Sequence, residues 1–308
     1  MPRTSLQQLP LARYEVDRDA AARLRGGLLD ELWADPATRV LAVRGDRAPL
    51  SGPASLALLP ARAIRNPGLR LYLGRSLAPD APEPVGTPII AVEVDEPEGE
   101  LAGLAWGGLR ALGHALSDRD AGLLTEAVAL LRWHDSHRFS PRTGQPTVVE
   151  QAGWTRRDPS TGIEVFPRTD PAVIVAVLDA EDRLLLGSNA LWEKNRFSLL
   201  AGFVEPGESL ESAVRREILE ESGVHVIDPV YRGSQPWPFP ASLMLGFTAR
   251  VDPAHELRAE PDGTEILELR WFSRAQLAAA EDVLLPGPTS IARHLIEQWY
   301  GGSLPEGR

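Results

Sequence analysis

Glu217, Glu220 and Glu221 stand at i, i+3 and i+4 within a stretch, Leu210 to Ser222, whose apolar residues Leu210, Ala213, Val214 and Ile218 recur at three- and four-residue spacings. The pattern predicts an amphipathic helix with one face in a core and three carboxylates together on one turn beside it. Ser209 is placed to cap its start and Gly223 to close it in a left-handed conformation, so the helix should span residues 210 to 222. Like charges one turn apart oppose an isolated helix by about 0.2–0.5 kcal/mol per pair, which makes a neutralising divalent cation the economical reading. Mg²⁺ takes oxygen ligands and commonly bridges one or two carboxylates to substrate phosphates, and Mn²⁺ serves equally.

The preceding loop carries Gly202, Pro206 and Gly207, residues that let backbone turn sharply and approach a ligand. Arg216 can brace the carboxylates by bidentate pairing with Glu208 or a neighbour. Together, residues 202–224 satisfy every fixed position of the pattern G-x5-E-x7-R-E-U-x-E-E-x-G-U, with U aliphatic. That register resembles the Nudix box, and the resemblance implies an α/β/α sandwich with a mixed sheet.

Ser234-Gln235-Pro236-Trp237-Pro238-Phe239-Pro240-Ala241-Ser242 follows and resembles the signature of the NAD(H) pyrophosphatase branch of that family. Its alternating prolines pre-order an extended segment and hold Trp237 and Phe239 rigid. Flat aromatic faces suit a ligand with two heteroaromatic bases, each stack contributing about 1–3 kcal/mol. The resemblance implies a divalent-metal set of Glu217, Glu221, Glu265 and Ala201, with Glu220 and Glu221 as candidates for base and metal partner. It implies substrate contacts from Phe166, Phe203, Gln235, Pro236, Trp237, Pro238, Phe239, Pro240, Ala241, Ser242 and Ala292. It also implies a homodimer in which Phe166 serves the neighbouring subunit's site.

The expected function is metal-dependent hydrolysis of the pyrophosphate of NAD(H) to AMP and nicotinamide mononucleotide, with removal of an NAD cap from RNA and cleavage of ADP-ribose as related reactions. The alternative from a different class is a catalytically silent NAD(H)-sensing module. Members of this branch often carry four zinc-binding cysteines before the catalytic domain, whereas this chain has no cysteine. Ser140, Thr143, Asp158 and Thr161 stand at the matching positions, a poor donor set for zinc, which prefers sulfur and imidazole. A metal-free knuckle is therefore expected, with no zinc, its turns held by hydrogen bonds and by packing of Phe139 and Trp154. His134 and His137 read as ordinary polar residues at a helix end.

A formal charge of −11 argues against a dedicated polyanion-binding surface and against membrane attraction. No apolar run of membrane-spanning length occurs, and Met1 to Arg25 lacks a signal-like apolar core, so a cytoplasmic protein is expected. Residues 1–133 read as a smaller α+β domain, 134–168 as the degenerate zinc-ribbon-like linker and 169–308 as the Nudix domain. In the first, Asp19 to Trp33 reads as one helix and Arg39 to Val43 as a strand. Ser117 with Asp120 opens a helix to about Trp133 that should bridge the two halves. In the last, strands are expected near Ala172–Leu178, Arg183–Gly187, Leu199–Gly202, Val226–Tyr231 and Leu243–Arg250, with helices at Arg274–Ala280 and Thr289–Gln298.

Overall fold

Alternating side chains of short β-branched runs feed two different cores, and this pattern recurs in both compact units of the chain. The computed structural model describes residues 9–304; the first eight and last four residues of the expected domain spans lie outside it. One unit comprises Leu11–Thr169 with the short excursion Trp237–Ala241, the other Asp170–Pro236 and Ser242 onward together with the chain around Leu9 and Pro10.

In the N-terminal unit the strands are Val16–Asp17 (β1), Arg39–Val43 (β2), Arg47–Gly52 (β3), Ser55–Leu56 (β4), Arg70–Ser76 (β5), Pro88–Glu93 (β6) and Ala105–Gly108 (β7). Helices are Leu28–Ala34 (α1), Leu109–Leu112 (α2) and Asp118–Ser136 (α3). The main sheet runs β1-β5-β6-β2, with β2 and β6 parallel. Leu41, Val43, Ile89 and Ala91 point into a core with α3, while Val40, Ala42, Ile90 and Val92 point into a second core with Leu28 and Leu32 of α1. Each such fully buried branched side chain contributes about 1.5–3 kcal/mol.

Two expectations for this half are corrected. Asp19 to Trp33 is not one helix: Gly26-Gly27 break it, Gly27 adopting a φ of 76°, so that a short 3-10 turn at Ala22–Leu24 is separated from α1. The helix capped by Ser117, whose hydroxyl accepts the Asp120 N–H at 3.1 Å, is the buried centre of the N-terminal unit rather than a bridge.

Val148–Glu150 (β8), Thr155–Arg157 (β9) and Glu164–Val165 (β10) form a small meander in the same unit. Its two knuckles repeat one hydrogen-bond pattern: Gly144 N–H donates to the Ser140 carbonyl as Gly162 N–H does to that of Asp158. Asp158 is fully buried and accepts from the Thr143 hydroxyl and from both the hydroxyl and N–H of Ser160. Those donors, Ser160 first, hold its carboxyl well below the usual range. Trp154 packs as expected, its indole N–H donating to the Tyr72 carbonyl at 2.7 Å, but Phe139 is 61% exposed and braces nothing. His134 is buried, its Nε2 on the Gly153 carbonyl at 2.8 Å and its Nδ1 on Arg156 at 2.9 Å. Burial lowers its pKa to about 4, so it stays neutral.

The C-terminal unit has Asp170–Leu178 (β11), Leu184–Asn189 (β12), Leu200–Phe203 (β13), Val226–Trp237 (β14), Ser242–Val251 (β15) and Ile266–Phe272 (β16), with helices Leu210–Ser222 (α4), Arg274–Ala279 (α5) and Ile291–Tyr300 (α6). Its sheet runs β14-β15-β11-β12-β16, β13 pairing with β11, and mixes a parallel β11–β15 ladder with antiparallel neighbours. Val173, Val175 and Val177 enter the core under α4, whereas Ile174 and Ala176 enter the core under α6. Helices on both faces of a mixed sheet make the α/β/α sandwich.

Because Asp158 is the shared acceptor of both knuckles, Asp158→Ala should lower the melting temperature of the N-terminal unit and speed proteolysis within residues 138–163, while Asp158→Asn should be intermediate. Thermal melts with limited proteolysis check this.

Candidate active site

Helix α4 lies on β13 so that three successive strand residues are each met by one residue of the helix. The Ala201 N–H is received by Glu221, the Glu217 carboxylate covers Gly202, and the Arg216 guanidinium donates to the Phe203 carbonyl at 2.9 Å. Ser209 caps the helix by accepting the Ser212 N–H, and Gly223 closes it at a φ of 68°. Gly202 has a steric role: a Cβ there would overlap the Glu217 carboxyl carbon and both its oxygens.

Arg216 is the hub of the acidic turn. It binds Glu208 through two parallel contacts, Nε to Oε1 at 2.9 Å and Nη2 to Oε2 at 2.8 Å, and its Nη1 reaches Glu217 at 2.9 Å and Glu220 at 3.0 Å. Glu208 also accepts the Glu205 N–H at 3.1 Å, shaping the loop ahead of the helix. These contacts, Glu208's first, push the Arg216 pKa up, and Arg216 in turn lowers that of Glu208.

The three glutamates differ in setting. Glu220 is largely exposed, Glu217 is mostly covered, and Glu221 is buried at 6% exposure with its Oε2 lacking any hydrogen-bond partner. Burial pushes the Glu221 carboxyl up to about 8, the charges of Glu265 and Glu217 adding to it against the Ala201 N–H. Burial also raises Glu217. An unpartnered oxygen inside an acidic cluster is costly unless a proton or a cation completes it.

Glu265 arrives from the loop before β16. Asp262 orders that loop by accepting the N–H groups of Glu265 and Ile266, the latter at 2.7 Å, and Asn189 donates to Glu265 Oε1 at 3.2 Å. Asp262 and Asn189 escaped the sequence reading; Asp262-Gly263-Thr264 is the turn signature that could have found the first. The donor set fits a hard divalent cation, being carboxylate oxygens with one buried and unpartnered. With Glu217 and Glu220 drawn onto Arg216, no three acidic or histidine side chains among the described residues stand in a ready-made cage.

The other expected site residues fall into two sets. Phe203 ends β13 and is 58% exposed. Ser242 opens β15 opposite Asp170, following Pro236 near the end of β14. Gln235 is fully buried and its amide donates to the Thr289 carbonyl at 3.1 Å, so it serves the fold's interior. Ala292 is buried in the first turn of α6, and its N–H is received by the Ser290 hydroxyl. Phe166, 59% exposed, belongs to the N-terminal unit, as does Trp237–Ala241.

Trp237 and Phe239 do not present two open faces. Their rings meet edge to face at 5.0 Å and pack on the core beneath α3. Arg110 lies over both, 5.1 and 4.3 Å from the ring centres, and Arg132 lies over Phe239 at 5.1 Å. Both rings thus lie within cation–π distance of an arginine.

The Glu221 carboxyl, raised by burial, is protonated in the folded metal-free protein far above its ordinary pKa. Stability from this group is therefore full at pH 4.5 and below and declines as pH rises through about 8. In a chelator, the melting temperature should fall between pH 6 and 9, less steeply in Glu221→Gln. Added Mg²⁺ should raise it more at pH 8.5 than at pH 6. Gly202→Ala should displace Glu217 and cut turnover by about 100-fold, measured alongside a far-ultraviolet spectrum showing the fold retained.

Three family models match the chain in succession: an NADH pyrophosphatase-like rudimentary NUDIX domain at residues 23–133, an NADH pyrophosphatase zinc ribbon domain at 135–166 and a NUDIX domain at 168–293. The ribbon model thus matches a segment without cysteine. The NAD-capped RNA hydrolase NudC of Mycobacterium bovis is 51% identical over 202 residues, covering 62% of this chain and 64% of that protein. The mitochondrial NAD(P)H pyrophosphatase NUDT13 of Mus musculus is 39% identical over 219 residues, covering 66% of this chain and 61% of that protein. The similarity thus spans somewhat under two thirds of either relative. A crystal structure of a NUDIX hydrolase from Nitrosomonas europaea overlaps 54% of this chain and 94% of its own at a TM-score of 0.43 and 20% identity. With three models of one architecture in order along it and every fixed box position filled, the chain belongs to the Nudix family, in its NADH pyrophosphatase-like branch.

Proposed function

We propose that the chain is a divalent-metal-dependent hydrolase of the NAD(H) pyrophosphate, yielding AMP and nicotinamide mononucleotide, and that it also accepts the NAD cap of RNA. The observation that carries this is the buried, unpartnered oxygen of Glu221 beside Glu217 and Glu265, on a helix fixed to β13. What the relatives' names say of them, NAD-capped RNA and NAD(P)H, supports the same substrate class.

Glu217, Glu221 and Glu265, with the backbone of Ala201, would hold Mg²⁺ or Mn²⁺. Such an ion supplies charge neutralisation at the phosphates and lowers the pKa of a bound water. The chain's own groups do the remainder. Arg216 keeps Glu217 and Glu220 on one turn. Glu220, the exposed member, receives the proton of the attacking water as its oxygen bonds to phosphorus and the bridging P–O bond breaks, with Glu221 able to share that role. Phe203 offers an open face to a base, and Phe166 serves the neighbouring subunit of a homodimer.

The reading includes a ribbon segment without zinc, because hydroxyls and one carboxylate committed to hydrogen bonds are poor ligands for it. A cytoplasmic setting completes it, with the absence of cysteine compatible with a reducing compartment. No helix among the described residues is long and apolar enough to cross a membrane.

Purified protein incubated with NADH, NAD⁺ and NAD-capped RNA in Mg²⁺ or Mn²⁺ should release AMP from the dinucleotides and a 5′-monophosphate from the RNA. Glu221→Gln should lose at least about 100-fold in kcat. Equal turnover by that variant would remove the assignment, and tight NADH binding without AMP would favour the sensing module. Stoichiometric zinc by elemental analysis would overturn the metal-free ribbon.

A further inference from the structure

The chemistry above leaves unused a cleft of about 550 Å³ that lies wholly within the N-terminal unit. One wall is the Arg23–Asp30 segment, including the Gly26-Gly27 break before α1; the other is the end of β8 and the turn that follows, Val149 to Ala152. Arg23, Arg25, Arg70 and Arg157 line it against the acids Asp30 and Glu150. A cationic lining is at odds with a chain of net charge −11, so it is not a sample of the average surface. Its volume is in the range of pockets that hold small ligands, roughly 300–1,000 Å³.

Two of these arginines sit in ion pairs that an incoming anion can replace at little cost: Arg25 pairs with Glu31 and Arg70 with Asp30, each with at least one partner substantially exposed. Such exposed pairs contribute about 0–1 kcal/mol. Arg157 is held by Glu150 and Glu164 in half-buried pairs. Arg23 differs. Its guanidinium lies 3.4 Å from the ring centre of Trp154, its Nη2 donates to the Arg18 carbonyl at 2.6 Å, and its buried Nε has no hydrogen-bond partner. A planar cation held against an aromatic face is pre-positioned.

The backbone of both walls is built for access. A Cβ on Gly26 or Gly27 would meet nothing within 4 Å, so that wall is open. Opposite, Gln151 and Ala152 hold left-handed conformations, φ 49° and 52°, though neither is glycine. Such conformations cost about 1–3 kcal/mol each and cluster where a segment is shaped for a ligand. Exposed Leu24 and Val149 at the rim give an apolar surface beside the charges.

We propose that this cleft binds a phosphorylated small molecule of nucleotide size, its phosphate taken by Arg23 and Arg25 and its organic part lying on Leu24 and Val149. The site is independent of the acidic turn on α4 and of any divalent cation.

The test uses the full chain in EDTA, where the metal-dependent site is disabled, titrated with AMP and with inorganic phosphate by calorimetry and by Trp fluorescence. AMP should saturate one site per chain, phosphate should compete, and rising salt should weaken both. Gly26→Asp puts a carboxylate into open space, and Arg25→Gln removes a cation from an exposed position. Each should weaken AMP binding by about tenfold or more, the loss of one charge-assisted contact, with unchanged melting temperature and unchanged NADH hydrolysis in Mg²⁺. Absence of AMP and phosphate binding in EDTA overturns the proposal, as does equal binding by both variants. So does binding of an RNA oligonucleotide, but not of AMP, that both variants abolish, since it assigns the cleft to a nucleic-acid backbone. None of these outcomes depends on whether the acidic turn hydrolyses NADH.

Discussion

One guanidinium makes the acidic turn possible. Glu208, Glu217 and Glu220 all converge on Arg216, which also holds the Phe203 carbonyl and thereby the end of β13. Without it, carboxylates one turn apart would repel and spread into solvent, and the helix would lose its polar anchor on the strand. The bidentate pair with Glu208 adds geometry to charge, because a planar fork fixes orientation as a point charge cannot. Three residues of α4 thus address three residues of β13 in order, and Gly202 is the place where only a hydrogen fits under the carboxylate.

That anchoring leaves Glu221 as the exception. It is the one box glutamate that Arg216 does not touch, it is the most buried, and one of its oxygens has no partner. The interior therefore stores an unfavourable carboxylate whose protonation state responds to anything positive that enters. Asp262 and Asn189, by fixing the loop of Glu265, set how close the second acid stands. The fold spends local stability on a site that a cation would complete, as functional positions commonly do.

The ribbon segment shows the converse solution. Asp158 gathers Thr143 and Ser160 into a buried hydrogen-bonded knot, and the two turns keep matching backbone patterns. A fully satisfied buried carboxylate is a workable cross-link, since each donor offsets part of its desolvation. The same segment supplies Val149 to Ala152 as one wall of the arginine-lined cleft.

Local periodicity was enough to determine α4 from Leu210 to Ser222 with both caps, the strands of the C-terminal sheet other than β16, and the Ser117 cap of α3, because each is specified by neighbours within a few turns. The spacing of the box glutamates likewise foretold a shared helical face and the Arg216–Glu208 pair. Tertiary structure alone decided that Glu221 is buried while Glu220 is exposed, that Arg110 and Arg132 cover Trp237 and Phe239, and that Gln235 turns inward to Thr289. It also decided that Phe139 is exposed and that arginines from three separate stretches of sequence share one cleft. The physical reason is range: a helix or strand reads contacts three or four residues away, whereas burial, charge pairing and access are set by residues a hundred positions distant that no local pattern reports.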